Sequence, residues 1–295
     1  MTVLRGRVIK AVGGFYDVQA DGGAIFRCRA RGRLRKDGEG LYVGDVVQFT
    51  PLHGTQGVLE KPEHRRTLLK RPAIANTEQV VIVCSPQEPP LSVQFLNRLL
   101  VLAESRLIQP VICLNKTDLP GSIEALKLLK EAFHAAAYPL VLTSALDGRG
   151  LRELKELLRG RISVLAGPSG AGKSSLLNRL LPGATLRTAE VSEKLQRGRH
   201  TTRQVELLPL AEGGYVADTP GFSQLDLEDV DRTSLPALFP EFRKISACCR
   251  FAGCGHHEEP DCAVKQAVLE GVLPAVRYEH YLVFLKEVAI RGRLR

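Results

Sequence analysis

The sequence lacks any apolar run of about eighteen residues, so it predicts no membrane-spanning helix. Its first residues, MTVLRGRVIK, have neither the apolar core nor the small-residue cleavage site of a signal peptide, and we therefore expect a cytoplasmic protein. Internal repeats and low-complexity tracts are also absent. Hydrophobic residues make up 44% and charged residues 25% of the 295 positions, which excludes a wholly disordered or fibrous chain and indicates a globular protein of two or three domains.

Cysteines are few and unevenly placed. Of the seven, Cys28, Cys84 and Cys113 are isolated, whereas the other four lie between positions 248 and 262. In a reducing compartment such a cluster favours a metal site over disulfide bonds.

Acidic residues are outnumbered, with 32 Asp and Glu against 41 Lys and Arg, so the formal net charge is +9. Residues 1–70 hold 13 basic and 7 acidic side chains, so this first quarter carries a surplus of six positive charges. A surplus concentrated in one part of the chain favours a polyanionic partner for that part.

The pattern of apolar residues divides the chain into three parts. Residues 1–68 contain five short candidate strands separated by glycine turns, which predict a small barrel resembling an oligonucleotide-binding (OB) fold. Residues 69–225 alternate buried strands such as QVVIVC and PVICLN with amphipathic helices, which predicts an α/β domain with a parallel sheet covered on both faces. Residues 226–295 are predicted to be mainly helical around the Cys/His cluster.

A phosphate-binding loop is predicted where GPSGAGKS fits the pattern GxxxxGK[ST] between the strand ISVLA and the helix SLLNRLL. Backbone N–H groups of such a loop surround a phosphate, and the helix N-terminus adds a positive dipole. Lys173 would contact the outer phosphates and Ser174 would ligate Mg²⁺. The alternative is a glycine-rich structural turn. The candidate nucleotide-binding residues here are Gly167, Pro168, Ser169, Gly170, Ala171, Gly172, Lys173, Ser174 and Ser175.

A guanine-reading site is predicted at Asn115-Lys116-Thr117-Asp118, directly after the strand PVICL. Guanine presents N1–H and N2–H₂ side by side, and the Asp118 carboxylate can accept from both, whereas adenine lacks the N2 amine. Asn115 would contact the imidazole edge of the base and Lys116 would cover a face of the ring. Ser144-Ala145, after the strand PLVLT, would offer a backbone N–H to the guanine O6. Alone, NKTD is commonly a strand-end turn.

A further phosphate-sensing motif is predicted at Asp218-Thr219-Pro220-Gly221, after the candidate strand GGYVA. Asp218 would hold Mg²⁺ through water, and the Gly221 N–H would meet the γ-phosphate. The alternative is a plain turn, for which Pro and Gly are common. The polar, basic stretch EKLQRGRHTTRQ precedes it, and either Thr201 or Thr202 would offer a hydroxyl to Mg²⁺, with Thr202 preferred.

A tetrahedral metal site is predicted from the spacing C-x4-C-x-H-x5-C, which is formed by Cys249, Cys254, His256 and Cys262. Three thiolates and one imidazole suit Zn²⁺, and a set of four protein ligands indicates a structural role. The neighbours Cys248 and His257 could be confused with these ligands. The alternative is a set of free buried thiols.

A cationic strand face is predicted where arginine recurs at every second position, at Arg27, Arg29, Arg31, Arg33 and Arg35. In an extended segment all five guanidinium groups share one face, and the intervening side chains face a barrel core. Such a stripe without interleaved acids favours contact with RNA phosphates, although a solvated strand face is the alternative. Because aromatic residues are few in this part, we expect recognition of shape and backbone more than base stacking.

These motifs form the set found in GTPases, but in a different order, because NKTD and Ser144-Ala145 come first and DTPG comes last. The order is that of circularly permuted GTPases. Together with the basic N-terminal barrel and the Cys/His segment, the whole chain resembles the ribosome-small-subunit-dependent GTPase A family. The resemblance implies GTP hydrolysis with Mg²⁺, stimulated by the small ribosomal subunit during its late maturation, with 16S rRNA and GTP/GDP as partners. We expect a monomer.

The position after DTPG, where many GTPases place a water-orienting Gln, holds Phe222 in this chain. We therefore expect slow hydrolysis by the free protein. His200 is the best substitute in the chain, and a His at this place is proposed to act in the resembling family; the alternative is an ordinary loop residue. Two other functions stay open: an RNA-binding scaffold that only senses GTP, and a phosphate-loop kinase for a small molecule, which NKTD argues against.

Overall fold

The computed structural model describes residues 2–31, 40–70, 73–181, 205–218, 227 and 229–292. Within these residues the chain forms the three parts that the sequence predicts: a closed N-terminal barrel, a central α/β sheet and a C-terminal helical part. None of the helices in these ranges has the length and apolar character that crossing a bilayer requires.

The barrel closes with its strands in the order β1-β2-β3-β5-β4. They are β1 (Leu4–Val12), β2 (Phe15–Ala20), β3 (Ile25–Ala30), β4 (Val46–Pro51) and β5 (Gln56–Pro62). Neighbouring strands are antiparallel except β3 and β5, which pair in parallel. The interior is filled by Val8, Val18, Cys28, Val47, Phe49 and Leu59. Closure leaves no free sheet edge, and the predicted OB-like barrel is confirmed.

The fourth strand begins only at Val46, because the apolar segment LYVGD before it forms a turn. The buried Asp45 carboxylate accepts from the Tyr42 backbone N–H at 2.8 Å and from two Arg65 nitrogens at 2.6 and 2.8 Å. Gly44 has a φ of 95°, and a Cβ there would lie 2.0 Å from the Ala75 carbonyl oxygen. The turn therefore requires glycine and joins the barrel to the next part of the chain.

A β-bulge in β1 turns one apolar side chain out of the barrel. Val8 pairs with Val18 and Lys10 pairs with Asp17, so Ile9 has no partner on β2. Val8 lies in the barrel core, whereas Ile9 is buried in the core of the central part. Two adjacent apolar residues thus serve two different cores.

The central part is a six-stranded sheet in the order β10-β9-β8-β11-β13-β12, parallel except for β12. A short hairpin of β6 (Leu68–Lys70) and β7 (Ala73–Ala75) precedes it. The strands of the six-stranded sheet are β8 (Gln79–Cys84), β9 (Gln109–Leu114), β10 (Leu140–Leu142), β11 (Ile162–Ala166), β12 (Leu207–Pro209) and β13 (Tyr215–Asp218). Its helices are α1 (Val93–Ser105), α2 (Ser122–Phe133), α3 (Leu151–Leu158) and α4 (Lys173–Leu180).

Helices cover both faces of this sheet. Along β8 every residue is buried, with Val80 and Ile82 in the core shared with α1 and α2, and Val81 and Val83 in the core shared with α3 and α4. A strand buried on both faces is continuously apolar, which is the pattern QVVIVC shows.

The C-terminal part packs its helices on α1. Its described residues form two 3₁₀ turns, Leu235–Leu238 and Ser246–Cys248, and three helices, α5 (Pro240–Ile245), α6 (Ala263–Leu269) and α7 (Ala275–Gly292). Val101 of α1 shares an apolar core with Phe239, Phe242 and Tyr281. The aromatic rings of Phe239 and Phe242 stack with centroids 4.9 Å apart.

A buried ion pair lies at this junction. The Arg277 guanidinium (1% exposed) donates to the Glu241 carboxylate (2% exposed) at 2.5 and 3.1 Å, and its third nitrogen donates to the Asn97 Oδ1 of α1 at 2.5 Å. The guanidinium also lies 4.6 Å from the centre of the Phe239 ring. Burying both charges costs desolvation free energy, and the contacts between the two side chains are required to offset that cost.

Replacing Arg277 with Met should lower the apparent free energy of unfolding by about 3–5 kcal/mol, because it leaves the Glu241 carboxylate buried without its partner. Urea unfolding followed by circular dichroism measures the change. The double variant Arg277→Met/Glu241→Leu should recover part of the loss, since it removes both charges.

The matched control is Arg250→Met, because Arg250 forms an ion pair with Asp261 at 2.7 Å in which both side chains are exposed. We expect a change below about 1 kcal/mol there. If Arg277→Met and Arg250→Met lowered the free energy of unfolding equally, the buried ion pair would contribute no more to stability than an exposed one.

Candidate functional site

The predicted nucleotide motifs meet at one edge of the central sheet. Residues 115–118 follow β9, residues 144–145 follow β10, and the phosphate loop, residues 167–174, follows β11. These strands run in parallel, so their carboxyl ends lie at the same edge, where α/β sheets bind ligands. We refer to this edge as the nucleotide edge.

The phosphate loop needs glycine at two positions for steric reasons. Gly167 has a φ of 134°, and a Cβ there would lie 2.1 Å from the Val83 carbonyl oxygen. Gly172 has a φ of 91°, and its Cβ would lie 2.3 Å from Asn115 Nδ2. The loop is therefore packed against both β8 and the 115–118 motif, which an ordinary glycine-rich surface turn does not require.

Lys173 begins α4 and its side chain curls back over the loop. Its Nζ donates to the carbonyl oxygens of Gly167 at 2.9 Å and Pro168 at 2.8 Å. Ser174 and Ser175 lie in the first turn of the same helix and are half-buried. The Lys173 ammonium group and the N-terminus of α4 thus lie close together at the phosphate loop, and both favour binding of an anion there.

The Asn115 side chain joins the motifs to one another. It is fully buried, its Nδ2 donates to the Ala171 carbonyl oxygen of the phosphate loop at 2.9 Å, and its Oδ1 accepts from Thr143 Oγ1 at 3.1 Å and from the Ala145 N–H at 3.3 Å. The amide thus spans the carboxyl ends of β9, β10 and β11. Its contact with the imidazole edge of a base stays a prediction.

The Asp118 carboxylate is held in place by a neighbouring strand. Ser144 is buried, and its hydroxyl donates to Asp118 Oδ1 at 2.6 Å. Thr117 also anchors the motif, because its backbone N–H and its hydroxyl both donate to the Thr143 carbonyl oxygen, at 3.1 and 3.0 Å. Asp118 itself is exposed at the nucleotide edge.

Residues 85–92, between β8 and α1, also contribute to this site, and the sequence analysis missed them. Lys116 has a φ of 60°, and its Nζ donates to the Glu88 carbonyl oxygen at 2.6 Å. A Cβ on Gly170 of the phosphate loop would lie 3.5 Å from Pro89. The signal was the polar, proline-rich run SPQEPPLS directly after a fully buried parallel strand, since such a run begins at the nucleotide edge.

The DTPG motif is described only at its first residue. Asp218 ends β13, and its backbone lies opposite Leu165 of β11, one strand away from the phosphate loop. Gly221, Phe222, His200, Thr201 and Thr202 lie outside the described residues.

The four predicted metal ligands lie together in the C-terminal part. The ligand atoms of Cys249, Cys254, His256 and Cys262 are all within 4.8 Å of one another. His256 Nδ1 lies 3.6 Å from Cys249 Sγ and 3.4 Å from Cys262 Sγ, and the two sulfurs are 3.9 Å apart. A tetrahedral Zn²⁺ site has S···S edges of about 3.8 Å and S···N edges of about 3.5 Å, so the cluster has the size of such a site. Cys248 is exposed and outside it.

Backbone contacts support this Cys/His cluster. The Tyr278 hydroxyl donates to the His256 carbonyl oxygen at 2.8 Å, and the Tyr281 hydroxyl donates to that of Gly255. The Glu259 carboxylate accepts from the backbone N–H groups of Gly255 and His257 at 2.7 and 3.0 Å. Although burial would raise the pKa of Glu259, these N–H donors hold it at about 2. Burial lowers the pKa of His256, which favours the neutral imidazole that a metal needs.

The basic face of the barrel is present in part. Arg27 and Arg29 on β3 are exposed, and the fully buried Cys28 between them faces the core, as the alternation predicts. Both guanidinium groups lie over the Phe15 ring, at 4.9 and 4.4 Å. Arg33 and Arg35 lie outside the described residues.

One detail of this face differs from the sequence analysis. β3 ends at Ala30, so Arg31 lies beyond the strand, and it forms an ion pair with Glu60 of β5 at 2.8 Å. An acid from a neighbouring strand therefore compensates part of the stripe, which a pattern read along a single strand does not reveal.

Two family models match the chain: "RsgA N-terminal domain" over residues 5–59 and "RsgA GTPase" over residues 59–228. Among curated proteins, the small ribosomal subunit biogenesis GTPase RsgA of Moorella thermoacetica is 49% identical over 98% of this chain and 99% of its own length. The protein of the same description from Caldanaerobacter subterraneus subsp. tengcongensis is 42% identical over 100% of this chain and 99% of its own.

Two solved structures share the whole architecture. YjeQ from Thermotoga maritima superposes with a TM-score of 0.87 at 38% identity, covering 98% of this chain and 99% of that one. YloQ, described as a circularly permuted GTPase, superposes with a TM-score of 0.85 at 37% identity, covering 98% and 96%.

Replacing Asp118 with Asn should weaken GTP binding by about 100-fold and shift the preference toward XTP. An amide cannot accept from two guanine N–H groups, but it can donate to the O2 of xanthine and accept from N1–H, and hydrogen bonds to a charged group contribute about 1.5–3 kcal/mol. Calorimetry with the two nucleotides measures both affinities.

The matched control for this substitution is Glu153→Gln. Glu153 is an exposed carboxylate in the first turn of α3, in the same part of the chain. Unchanged GTP affinity in Asp118→Asn would contradict the assignment of the guanine reader.

Proposed function

The chain belongs to the RsgA GTPase family and is a GTP hydrolase, and from this premise we propose that it binds the small ribosomal subunit and assists the late stage of its assembly. The observation that supports the proposal is that the phosphate loop and the candidate guanine-reading residue Asp118 meet at the nucleotide edge, in a chain that also has a basic barrel. GTP/GDP and the small subunit are the proposed partners.

We propose that the candidate residues divide the work of binding GTP as follows. Residues 167–175 hold the phosphates, with Lys173 at the outer ones. Asp118 reads the guanine edge, while Asn115, Lys116, Thr117, Ser144 and Ala145 shape its surroundings. The contacts that already join these residues support the assignment, since a preorganised pocket loses little freedom on binding.

Mg²⁺ prefers oxygen ligands, and we propose that the Ser174 hydroxyl would ligate it directly and that Asp218, at the end of β13, would hold it through water. When bound, Mg²⁺ neutralises the charge that builds up on the β- and γ-phosphate oxygens. We propose that Gly221 donates its N–H to the γ-phosphate, that Thr202, or else Thr201, adds a hydroxyl to the metal, and that His200 orients the attacking water.

A structural Zn²⁺ is the metal that best suits the Cys/His cluster. Its donors are three sulfurs and one ring nitrogen within 4.8 Å, and Cys254, His256 and Cys262 are buried, so four protein ligands would surround the ion. The ion would tie the loop of residues 249–262 to α6, which begins directly after Cys262.

We propose that the barrel contacts 16S rRNA through Arg27, Arg29, Arg31, Arg33 and Arg35. Two of these are exposed on one strand and held by the Phe15 ring, which supports a preorganised phosphate-binding face. A protein that acts on assembling ribosomes works in the cytoplasm, and we propose that it acts there as a monomer. The proposed domain boundaries remain 1–68, 69–225 and 226–295.

Phosphate release from GTP should rise at least about tenfold when small ribosomal subunits are added, because help in trans raises the turnover of slow GTPases by orders of magnitude. Large subunits at the same concentration are the control. A scaffold that only senses GTP would show no stimulated release, and a kinase would transfer the labelled γ-phosphate to an acceptor other than water.

The purified protein should hold about one zinc per chain after dialysis, and Cys262→Ser should lose it together with part of its thermal stability. Metal analysis and a thermal scan measure the two effects. Cys248→Ser is the matched control, since Cys248 is exposed and outside the cluster. Full zinc occupancy in Cys262→Ser would remove this residue from the proposed ligand set.

A further inference from the structure

The N-terminal barrel rests on the β12–β13 hairpin, residues 207–218, at the edge of the central sheet. Lys10 of β1 and Glu206, directly before β12, form an isolated antiparallel bridge outside the named sheets. Their side chains also pair, with Lys10 Nζ 2.8 Å from Glu206 Oε2. The barrel thus touches the first strand of the hairpin through both backbone and side chain.

The second strand of the hairpin is held by the barrel as well. The Tyr215 hydroxyl of β13 donates to Gln19 Oε1 of β2 at 2.9 Å. The Arg7 guanidinium of β1 lies 5.6 Å from the centre of the Tyr215 ring. Both strands of one hairpin are therefore attached to the same domain.

An apolar core lies beneath these polar contacts. Ile9, which the β-bulge turns out of the barrel, is buried in one cluster with Leu207 and Ala217 of the hairpin. Val205 and Tyr215 pack against the same cluster. A close-packed apolar contact transmits strain, so we expect a displacement of β1 to shift the hairpin.

In the sequence, the hairpin lies between the two candidate phosphate-sensing segments. Glu206 stands four positions after Thr202, and β13 ends at Asp218, the first residue of DTPG. The hairpin is thus the connection between the two candidate phosphate-sensing segments. A displacement of β1 would therefore reach both ends of this connection.

We propose that Lys10, Glu206, Gln19 and Tyr215 are positioning residues that transmit the docking of the barrel on RNA to GTP hydrolysis through the β12–β13 hairpin. The inference rests on the proposed function, because it needs stimulation by the small subunit. It goes further by naming the route within the chain and the residues that form it. The Lys10–Glu206 pair is partly exposed, so it contributes little to folding and can be changed without loss of the fold.

The test is a charge reversal at this pair. Lys10→Glu and Glu206→Lys should each reduce the stimulation of GTP turnover by small subunits at least about fivefold, since coupling between sites typically spans a 5- to 150-fold effect. Turnover without subunits and GTP affinity should stay within about twofold of the parent, because exposed ion pairs contribute ~0–1 kcal/mol. The double variant Lys10→Glu/Glu206→Lys should restore the stimulation.

A second variant removes one hydrogen bond without changing charge. Tyr215→Phe keeps the ring beneath Arg7 but loses the bond to Gln19, and we expect a smaller loss of stimulation. The matched control is Lys155→Glu, because Lys155 pairs at 3.0 Å with Glu212 in the turn of the same hairpin, with similar exposure, but belongs to α3 and not to the barrel. It should leave the stimulation unchanged.

The outcomes separate the two proposals. If small subunits do not stimulate the parent, the proposed function fails and this inference fails with it. If the parent is stimulated and the single reversals are stimulated equally, or the double variant does not recover, the proposed function stands and the route through the hairpin is overturned. Parallel losses of basal and stimulated turnover would also overturn it, since they would indicate a purely structural contact.

Discussion

The nucleotide edge depends on one buried amide. Asn115 bonds to Ala171 of the phosphate loop and to Thr143 and Ala145 beyond the adjoining strand, so a single side chain fixes the distance between the phosphate end and the base end of the site. Position 172 requires glycine, since a Cβ there would overlap the Asn115 amide. Removing the amide would leave a buried carbonyl oxygen and two donors without their partner, which is why the contact constrains all three loops.

The barrel and the C-terminal part attach to different elements of the central part. In this chain the barrel precedes the sheet and attaches to the β12–β13 hairpin at one edge, whereas the C-terminal part returns to α1. The two attachments are stabilised by different interactions. The barrel is attached by partly exposed polar contacts over a small apolar core, whereas the helices are attached by a fully buried ion pair within an aromatic core. The attachment of the barrel is suited to transmit small displacements, and the attachment of the C-terminal helices is suited to resist them.

Much of this fold follows from sequence patterns, because buried parallel strands, glycine turns and the alternating Phe26, Arg27 and Cys28 each carry a local signature. The meeting of three motifs at one edge was also predictable, since parallel strands place their carboxyl ends together. What could not be predicted are contacts between distant segments. The acid that pairs with Arg31 lies on another strand, the bulge at Ile9 resembles any apolar pair in sequence, and the acceptor for Lys116 is a backbone carbonyl, which has no side-chain signature.

The Arg277 network joins α1 to the Cys/His part through buried contacts. Sliding one past the other would strand a guanidinium and a carboxylate in apolar surroundings, at a cost of several kcal/mol. Because α1 also packs on the sheet through Leu96, Leu99 and Leu100, a rotation of the Cys/His part would have to displace that helix as well. Residues 85–92 lead into the N-terminus of α1, and the Glu88 carbonyl oxygen accepts from Lys116, so such a movement would reach the NKTD motif.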